Sequence, residues 1–472
     1  MRRSVLALLA ICFVGLGFSQ KYEYSFKVKG AENDTVYLAN YFGSKLFYSD
    51  TAYSDAKGSF TFKGEDLLRG KYAVVCPGPK WFEILIDEPK FEIQTDTTDW
   101  VANMKIKNSP NNQIYYDYVK FISNQRKEMD ALNKELEKHA QDSVLSNELS
   151  KKILAINQSV QNRQNEIVAD HSDLLVGKMM NINIPIEVPD APTDEKGNVT
   201  DQYFQYNFYK NHFFDHCDLN DNALGRLPDF DRKMDEFFNK VVVQVPDSAK
   251  KEADKLIAQI EDKKGELFKY TINWLTVFFE KHKIMCMDAG FVHMIEKYYM
   301  SDMAFWVDSA ALSKVTERAL LMKPTICGVK APYMKLQDTT GVKSYNLYDL
   351  NSDYTVIYIW DPDCGHCKKS NPKLVDFYTE YKEKGVEVYS VGNPFETEKW
   401  IEYLNENPDF ARMINVSDSP QKPSSFRTFY DVHTTPRILV LDKDKKIIAK
   451  QIEIEQLGEI IDHHLKTQES IN

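Results

Sequence analysis

The thirteen residues WDPDCGHCKKSNP, from Trp360 to Pro372, contain two cysteines separated by two residues. A Cys-x-x-Cys pair is typical of a redox-active dithiol or of half a zinc site, and the flanking sequence decides between them. The stretch YTVIYIW, which ends at Trp360, is an apolar run typical of a buried strand. The sequence therefore predicts that the cysteines open a helix directly after a strand.

The predicted place of Cys364 at the start of a helix has a chemical consequence. Unpaired backbone N–H groups and the helix dipole stabilise an anion there, so we expect the pKa of Cys364 to lie below the free value of ~8.5. Asp363 opposes this effect, because a negative neighbour raises the pKa of Cys364, and a protonated His366 opposes Asp363. Cys367 follows one turn later on the same face, close enough to resolve a mixed disulfide. The helix is predicted to end just before Gly385.

A zinc site is the less favoured interpretation of the pair. Tetrahedral zinc needs two more ligands at a matched spacing, and the region after Cys327 has no second Cys-x-x-Cys and no His-x-x-x-His. His463 and His464 are adjacent, and neighbours on a helix point apart. We therefore predict a redox dithiol and no metal.

The region around the pair alternates between strand and helix patterns. GVEVYSVG and RILVLD read as apolar strands, KIIAKQIEI as a further strand after the turn DKDKK, and ETEKWIEYLNEN and LGEIIDHHLK as helices. The order β-α-β-α-β-β-α predicts a central mixed sheet with helices on its faces.

Residues 327–472 resemble the thioredoxin fold, and specifically the ResA/TlpA-type envelope thiol-disulfide oxidoreductases. Four segments carry the resemblance, namely VKAPYMKLQD, IW-x3-CGHCKKSNP, KEKGVEVYSVG and FRTFYDVHTTPRILVLDKDKKII. In that family a Thr-Pro before a strand carries a cis-proline that faces the disulfide, which implies that Pro436, after Thr435, is cis. Tyr358 lies on the strand where thioredoxins carry a buried Asp.

The resemblance also implies roles for the site residues. Cys364 would attack as a thiolate, Cys367 would resolve the mixed disulfide and His366 would tune Cys364 electrostatically. Thr435 and Pro436 would shape a substrate groove, and Trp360 would pack by the active site and line that groove. The Gly-His dipeptide between the cysteines is that of protein disulfide isomerase and suggests a more oxidising pair than that of thioredoxin. No cofactor is implied, because electrons pass through the sulfur atoms.

The rest of the chain indicates two further regions. Short alternating runs at close spacing over residues 20–106 predict an antiparallel β-sandwich or barrel. Residues 107–326 carry helical periodicity, with a long helical hairpin up to Val168, a loop from Pro185, and later helices that include the stretch from Ser248 to His282. The fold class is therefore multidomain: an all-β region, an all-α region and an α/β thioredoxin fold.

The N-terminus predicts export. MRRSVLALLAICFVGLGFSQ has two arginines and a short apolar run, so residues 1–19 are interpreted as a signal peptide cleaved after Ser19, although an uncleaved anchor is an alternative. The rest of the chain has no run long and apolar enough to span a bilayer. The formal net charge of −11 argues against nucleic-acid binding, which needs clustered Lys and Arg. We expect a protein of the periplasm or cell envelope.

The remaining cysteines and a histidine pair receive structural interpretations. Cys76, Cys217 and Cys286 are interpreted as buried small apolar residues, and Cys327 is not assigned. His212 and His216 are four residues apart, a spacing that suits a metal. Without an evident third ligand, core or surface histidines are favoured.

The sequence thus predicts an exported thiol-disulfide oxidoreductase that reduces cysteines of envelope proteins. Its partners would be envelope protein thiols and disulfides, apocytochrome c among the candidates, and an unidentified electron donor such as a membrane carrier. Two alternatives stay open: an oxidase or isomerase, and a non-catalytic envelope scaffold whose thioredoxin domain is vestigial.

Overall fold

The computed structural model describes residues 21–78, 80–139, 141–393, 397–418 and 425–469. The predicted signal peptide, residues 1–19, lies outside these ranges. The chain forms two compact units, Met1–Val241 and Val242–Asn472. The domain boundaries that the sequence suggests at residues 106 and 326 stay predictions.

The first unit begins with two four-stranded sheets. Their strands are β1 (Lys21–Lys29), β2 (Thr35–Phe42), β3 (Lys45–Tyr53), β4 (Ser59–Glu65), β5 (Gly70–Cys76), β6 (Lys80–Ile86), β7 (Lys90–Asp96) and β8 (Lys105–Lys107). One sheet has the order β4-β1-β7-β8 and the other the order β3-β2-β5-β6. The predicted strand-rich region is confirmed, but the expectation of a wholly antiparallel arrangement is wrong, because β1 and β7 run parallel.

Alternation along the strands builds the core between these sheets. In β1, Tyr24, Phe26 and Val28 are buried while the residues between them face outward. The Phe26 ring lies 5.1 Å from that of Phe60 in the same sheet and 6.2 Å from that of Phe82 in the other sheet. The apolar period of two therefore packs one sheet against the other.

Helices complete the first unit. They are α1 (Pro110–Lys138), α2 (Ser143–Asp170), α3 (Leu175–Asn181), α4 (Phe204–His212) and α5 (Pro228–Glu236), the last continued by a π-helical turn at Phe237–Val241. Ser109 caps α1 by accepting a hydrogen bond from the Asn112 N–H, and Asp142 caps α2 in the same way. The pair α1 and α2 confirms the predicted helical hairpin.

The second unit starts with four helices. They are α6 (Pro246–Gln259), α7 (Glu266–Lys281), α8 (Asp288–Met294) and α9 (Ser309–Met322), with a π-helical turn at Ile295–Tyr299. The stretch predicted as helical from Ser248 to His282 is interrupted between α6 and α7. There Lys263 turns back, and its ammonium group donates to the carbonyl of Ile257 at 2.8 Å, which satisfies an acceptor at the end of α6.

A seven-stranded mixed sheet forms the rest of the second unit. Its strands are β9 (Lys335–Gln337), β10 (Ser344–Asn346), β11 (Tyr354–Trp360), β12 (Val386–Gly392), β13 (Ile414–Ser417), β14 (Arg437–Leu441) and β15 (Ile447–Lys450). Its helices are α10 (Gly365–Tyr381), α11 (Thr397–Glu406), α12 (Pro408–Ala411), α13 (Phe426–Phe429) and α14 (Leu457–Glu469). The strand order is β10-β9-β13-β12-β11-β14-β15, in which the neighbouring pairs β11–β12 and β12–β13 run parallel and the other neighbouring pairs run antiparallel.

Apolar clusters cover both faces of this sheet. One face packs against α10, α11 and α14 through Leu374, Trp400 and Leu457, and the other packs against α13 through Phe426. The predicted mixed sheet with helices on its faces is confirmed. The short strands β9, β10 and β13 were not predicted.

The structure corrects the interpretation of two cysteines. Cys286, predicted as a lone buried residue, forms a disulfide with Cys327, which the sequence left unassigned. Close to this bond, Asp288 at the start of α8 forms an ion pair with the buried ammonium group of Lys450 on β15. The ion pair joins α8 to the sheet, and the disulfide joins the segment before α8 to the segment after α9. Cys76 and Cys217 are free and buried, as expected.

A search of the described residues for a membrane-spanning helix finds none that combines sufficient length with sufficient apolar character.

Candidate active site

The turn between β11 and α10 places Cys364. Every residue of β11 is buried, and the strand ends at Trp360. The Asp361 carbonyl then accepts a hydrogen bond from the Cys364 N–H at 3.1 Å, and the Asp361 carboxylate accepts from the Asp363 N–H at 2.8 Å. Cys364 is the N-cap of α10, with extended backbone angles, as the strand and helix patterns predict.

The Cys364 sulfur takes part in a hydrogen bond with Cys367 and in one with Thr435. Its Sγ accepts from the Cys367 N–H at 3.2 Å, and its thiol donates to the Thr435 carbonyl at 3.3 Å. The Thr435–Pro436 peptide bond is cis, which confirms that expectation. Two segments 71 residues apart in the chain therefore meet at this sulfur.

The pKa of Cys364 lies below its ordinary value. Partial burial raises the pKa of Cys364, but hydrogen bonds from Cys367 and Thr435 and from the Cys367 and His366 backbone N–H groups outweigh it. The rise in the Cys364 pKa that was expected from the Asp363 charge does not outweigh these hydrogen bonds. The Asp363 carboxylate pairs with the Lys399 ammonium group at 3.0 Å, which offsets its charge.

Cys367 lies in a different environment. It is fully buried in the cluster beneath α10. Burial, followed by the hydrogen bond with Cys364, raises the pKa of Cys367 to about 12. The pair therefore combines one sulfur that ionises more readily than an ordinary thiol with one that holds its proton at neutral pH.

The other predicted site residues divide by exposure. His366 is exposed on the first turn of α10, and Thr435 and Pro436 are partly exposed beside Cys364. Trp360 is fully buried, and its indole N–H donates to the Ser390 hydroxyl at 2.9 Å. Trp360 therefore packs beneath the site, and the expectation that it lines the substrate groove is wrong, because its buried side chain presents no surface there.

Sequence reasoning missed a buried group of polar side chains under the cysteines. The Tyr358 hydroxyl donates to Asn371 Oδ1 at 2.7 Å, and Asn371 Nδ2 donates to the Tyr403 hydroxyl at 2.8 Å. The sequence analysis places Tyr358 on its strand, but no local sequence pattern predicts its contact with Asn371 or the contact of Asn371 with Tyr403.

Comparisons with known proteins identify the family of the region that carries this site. Residues 327–450 match the AhpC/TSA family, and residues 155–323 match a domain of unknown function, DUF5106. The thiol-disulfide oxidoreductase ResA of Bacillus anthracis is 31% identical over 140 residues, which span 29% of this chain and 76% of that protein. The chain belongs to the ResA family of thiol-disulfide oxidoreductases.

Another ResA protein and a solved structure match a similar share of the chain. ResA of Bacillus cereus is 29% identical over 139 residues, which again span 29% of this chain and 76% of that protein. The crystal structure of a domain of a possible thiol-disulfide isomerase from Cytophaga hutchinsonii is 35% identical, with a TM-score of 0.29, and covers 31% of this chain and 98% of that one.

His212 and His216, which lie before the matched residues 327–450, have local partners. His212 Nδ1 lies 2.6 Å from the Asp215 carboxylate, and His216 Nδ1 lies 3.2 Å from Asn181 Oδ1. Within the described ranges, no three or more His, Cys, Asp or Glu side chains are grouped so that they could hold a metal ion. The two histidines thus take part in separate contacts.

Proposed function

We propose that this oxidoreductase works through its Cys364-Gly365-His366-Cys367 motif and reduces disulfides of other exported proteins. Cys364 is the attacking thiolate and Cys367 resolves the mixed disulfide. His366, exposed beside Cys364, tunes that sulfur electrostatically when it is protonated. Thr435 and Pro436 shape the groove, where the backbone pairs with an extended peptide.

One observation carries the proposal: the two sulfurs differ in both exposure and acidity. Cys364 is partly exposed at a helix N-terminus with a lowered pKa, whereas Cys367 is buried with a pKa of about 12. Nucleophilic attack needs an accessible thiolate, and resolution needs a second sulfur that is kept from other partners. The asymmetry supports a fixed order of attack.

The reaction then proceeds in two steps. The Cys364 thiolate attacks one sulfur of a substrate disulfide, a mixed disulfide forms, and the other substrate sulfur leaves as a thiolate. Cys367 loses its proton to that thiolate and attacks Cys364, and the first substrate sulfur leaves with the electron pair. The substrate disulfide has gained two electrons, and Cys364 and Cys367 have become a disulfide. No cofactor takes part.

The place of action follows from the predicted signal sequence at residues 1–19. Export would put the site among envelope proteins, whose oxidised cysteines become its substrates, including those of an apocytochrome c. A partner must return two electrons to the disulfide after each turnover, and a membrane electron carrier suits that role.

A second candidate function is disulfide oxidation or isomerisation, which the His366 side chain between the cysteines favours. The reduction potential separates the two. The protein is equilibrated with glutathione buffers, and the Cys364–Cys367 disulfide is measured by mass spectrometry. A potential near about −270 mV supports the reductase, and one near about −180 mV supports the oxidase or isomerase. If no such disulfide forms across the range, neither catalytic function holds.

A further inference from the structure

An apolar cavity of the second unit lies between α13 and the segment that leads from α9 to β9. Its volume is about 880 Å³, and pockets that hold small ligands typically measure roughly 300–1,000 Å³. Tyr333, Met334, Phe426 and Phe429 are among its apolar lining residues. No residue of the candidate active site lines it. We call this space the basic cavity.

The lysines of the basic cavity give it its charge. Three lysines and no acidic residue are among the described residues that line it, namely Lys323, Lys330 and Lys335. Lys323 forms an ion pair with Glu296. Lys330 and Lys335 are exposed, and no ion pair within the described ranges involves either of them. Two ammonium groups are therefore available to an anion, in a chain whose formal net charge is −11.

An aromatic pair holds one of these cations beside the apolar lining. The Lys330 ammonium group lies over the Tyr348 ring, 4.5 Å from its centroid. The Tyr348 ring packs edge to face against Tyr333, with centroids 5.8 Å apart. Because the cation–π contact favours this position of the ammonium group, Lys330 stays next to the apolar surface that Tyr333 contributes.

The backbone around the basic cavity is already hydrogen-bonded within the fold. The Val329 carbonyl accepts from the Ile447 N–H at 2.9 Å. The Pro332 carbonyl accepts from the Tyr430 hydroxyl at 2.6 Å, and neither Pro332 nor Pro324 has a backbone N–H. An extended peptide that adds as a strand needs free backbone donors and acceptors, which these wall residues do not offer. The wall offers apolar side chains and ammonium groups instead.

A second apolar cavity continues from the basic cavity along α9. Its volume is about 620 Å³, and it shares Pro324 and Phe429 with the basic cavity. Its lining on α9 extends from Ser309 to Leu321, which corresponds to roughly 18 Å of helix at ~1.5 Å per residue. The described residues that line it include no lysine. The two adjoining cavities thus combine a long apolar surface with cations in the first cavity only.

We infer that the basic cavity binds an anionic amphiphile of the long-chain carboxylate class. The carboxylate lies by the ammonium groups of Lys330 and Lys335, and the alkyl chain passes Phe429 into the second cavity. Phe429 is 46% exposed and Leu320, in the second cavity, is 50% exposed. Burial of the alkyl chain against them removes apolar surface from water, and the charged head pairs with the two cations.

Isothermal titration calorimetry of the full chain tests the head and the tail separately. We expect one dodecanoate to bind per chain, and decanoate to bind more than about tenfold weaker, since each buried methylene changes the affinity about fourfold. Dodecanol has the same tail without the charge and should bind about tenfold weaker than dodecanoate. Dodecyltrimethylammonium should bind more weakly still, because the lysines repel it.

The lysine variants test the head. Lys330→Met and Lys335→Met should each weaken dodecanoate about threefold, the effect of an exposed ion pair, and should leave dodecanol unchanged. Lys314→Met is the matched control, because Lys314 is an exposed lysine of α9 that lines neither cavity. It should bind both probes like the wild type.

A phenylalanine variant tests the path of the tail. Phe429→Asp places a carboxylate where the alkyl chain passes and should weaken dodecanoate at least about tenfold. Phe305→Asp is the matched control, because Phe305 is 52% exposed and lines neither cavity. Circular dichroism checks the fold of both variants, and the lysine variants give the answer if Phe429→Asp does not fold.

The inference is overturned if dodecanoate does not bind, or if it binds folded Phe429→Asp or the double variant Lys330→Met/Lys335→Met as tightly as the wild type. Equal affinity for dodecanol and dodecanoate would also overturn it, because the lysines would then have no role. If no alkyl probe binds and the wild type dimerises in analytical ultracentrifugation while Phe429→Asp does not, the cavities are a contact between two copies of the chain and the inference is wrong.

Discussion

The asymmetry of the two active-site sulfurs leads to a direct prediction about alkylation. Because the pKa of Cys364 is lowered and that of Cys367 is about 12, iodoacetamide should modify Cys364 alone between about pH 6 and pH 9. Its rate should rise with pH and level off below the pH at which a free cysteine peptide levels off, because the thiolate is the reacting form. Peptide mapping by mass spectrometry at each pH measures this. Equal labelling of Cys367 at neutral pH would contradict it.

Lys399 offers a second prediction, on the charge beside the nucleophile. Lys399→Met leaves the Asp363 carboxylate without that partner, so the pKa of Cys364 should rise and its alkylation at pH 7 should slow about twofold. The effect is small because both side chains are about half exposed and solvent screens them.

The matched control for this prediction is Lys373→Met on α10, whose partner is the distant Glu455. It should leave the Cys364 rate unchanged. A Lys399→Met protein that reacts as fast as the wild type would show that the ion pair does not act on Cys364.

Single residues could be predicted where the pattern is local. The places of Cys364 and Cys367 follow from a strand pattern and a motif, and the cis bond before Pro436 is implied by the resemblance to the ResA/TlpA-type proteins. The partners Tyr403 on α11 and Asn371 on α10 lie 32 residues apart, and the tertiary fold of the second unit brings them together. The Cys286–Cys327 disulfide was missed for the same reason, because spacing alone does not determine pairing.

The end of α10 shows how one glycine separates a helix from the next strand. Gly385 has φ of +83°, and a Cβ there would lie 2.4 Å from the Asp353 carboxylate. Gly385→Ala should therefore destabilise the second unit by about 1–2 kcal/mol. Urea unfolding followed by circular dichroism measures the loss.

Gly365→Ala is the control at the other end of α10. A Cβ at Gly365 meets nothing within 4 Å, and alanine favours the helix. This variant should be at least as stable as the wild type. Equal stability of Gly385→Ala and the wild type would show that the positive φ imposes no constraint.

Long periodic elements were predictable and short or exposed ones were not. The hairpin of α1 and α2, the strand β11 and the helix α10 have clear periods over many residues. The strands β9 and β10 have three residues each, too few to show a period. In β3 nearly every residue is exposed, including Phe47 and Tyr48, so alternation gives no signal.

In the second unit, the Cys286–Cys327 bond closes a loop with a sequence separation of 41 residues. A loop of that length stabilises the folded state by about 4 kcal/mol through the entropy of the unfolded chain. The double variant Cys286→Ser/Cys327→Ser should therefore unfold at lower urea concentration, and amide exchange should quicken in β15, where the Ile447 carbonyl accepts from the Gly328 N–H at 2.8 Å.

Cys364→Ser/Cys367→Ser is the comparison for this effect, since it removes two thiols and leaves the loop closed. It should retain wild-type exchange in β15. Identical urea curves for the two double variants would mean that the disulfide contributes nothing to stability.

The second unit thus holds one joined cysteine pair and one free pair, within a described part of the chain that also has thiols at Cys76 and Cys217. The joined pair must be oxidised to form its bond, whereas the free pair is reduced in this structure. During maturation an oxidant must join Cys286 and Cys327, whereas the proposed reductase function would require a reductant that reaches Cys364 and Cys367. A cell that makes this protein would then have to oxidise the first pair before it keeps the second pair reduced. In a purification with strong reductant throughout, the Cys286–Cys327 disulfide is exposed to reduction along with the Cys364/Cys367 pair.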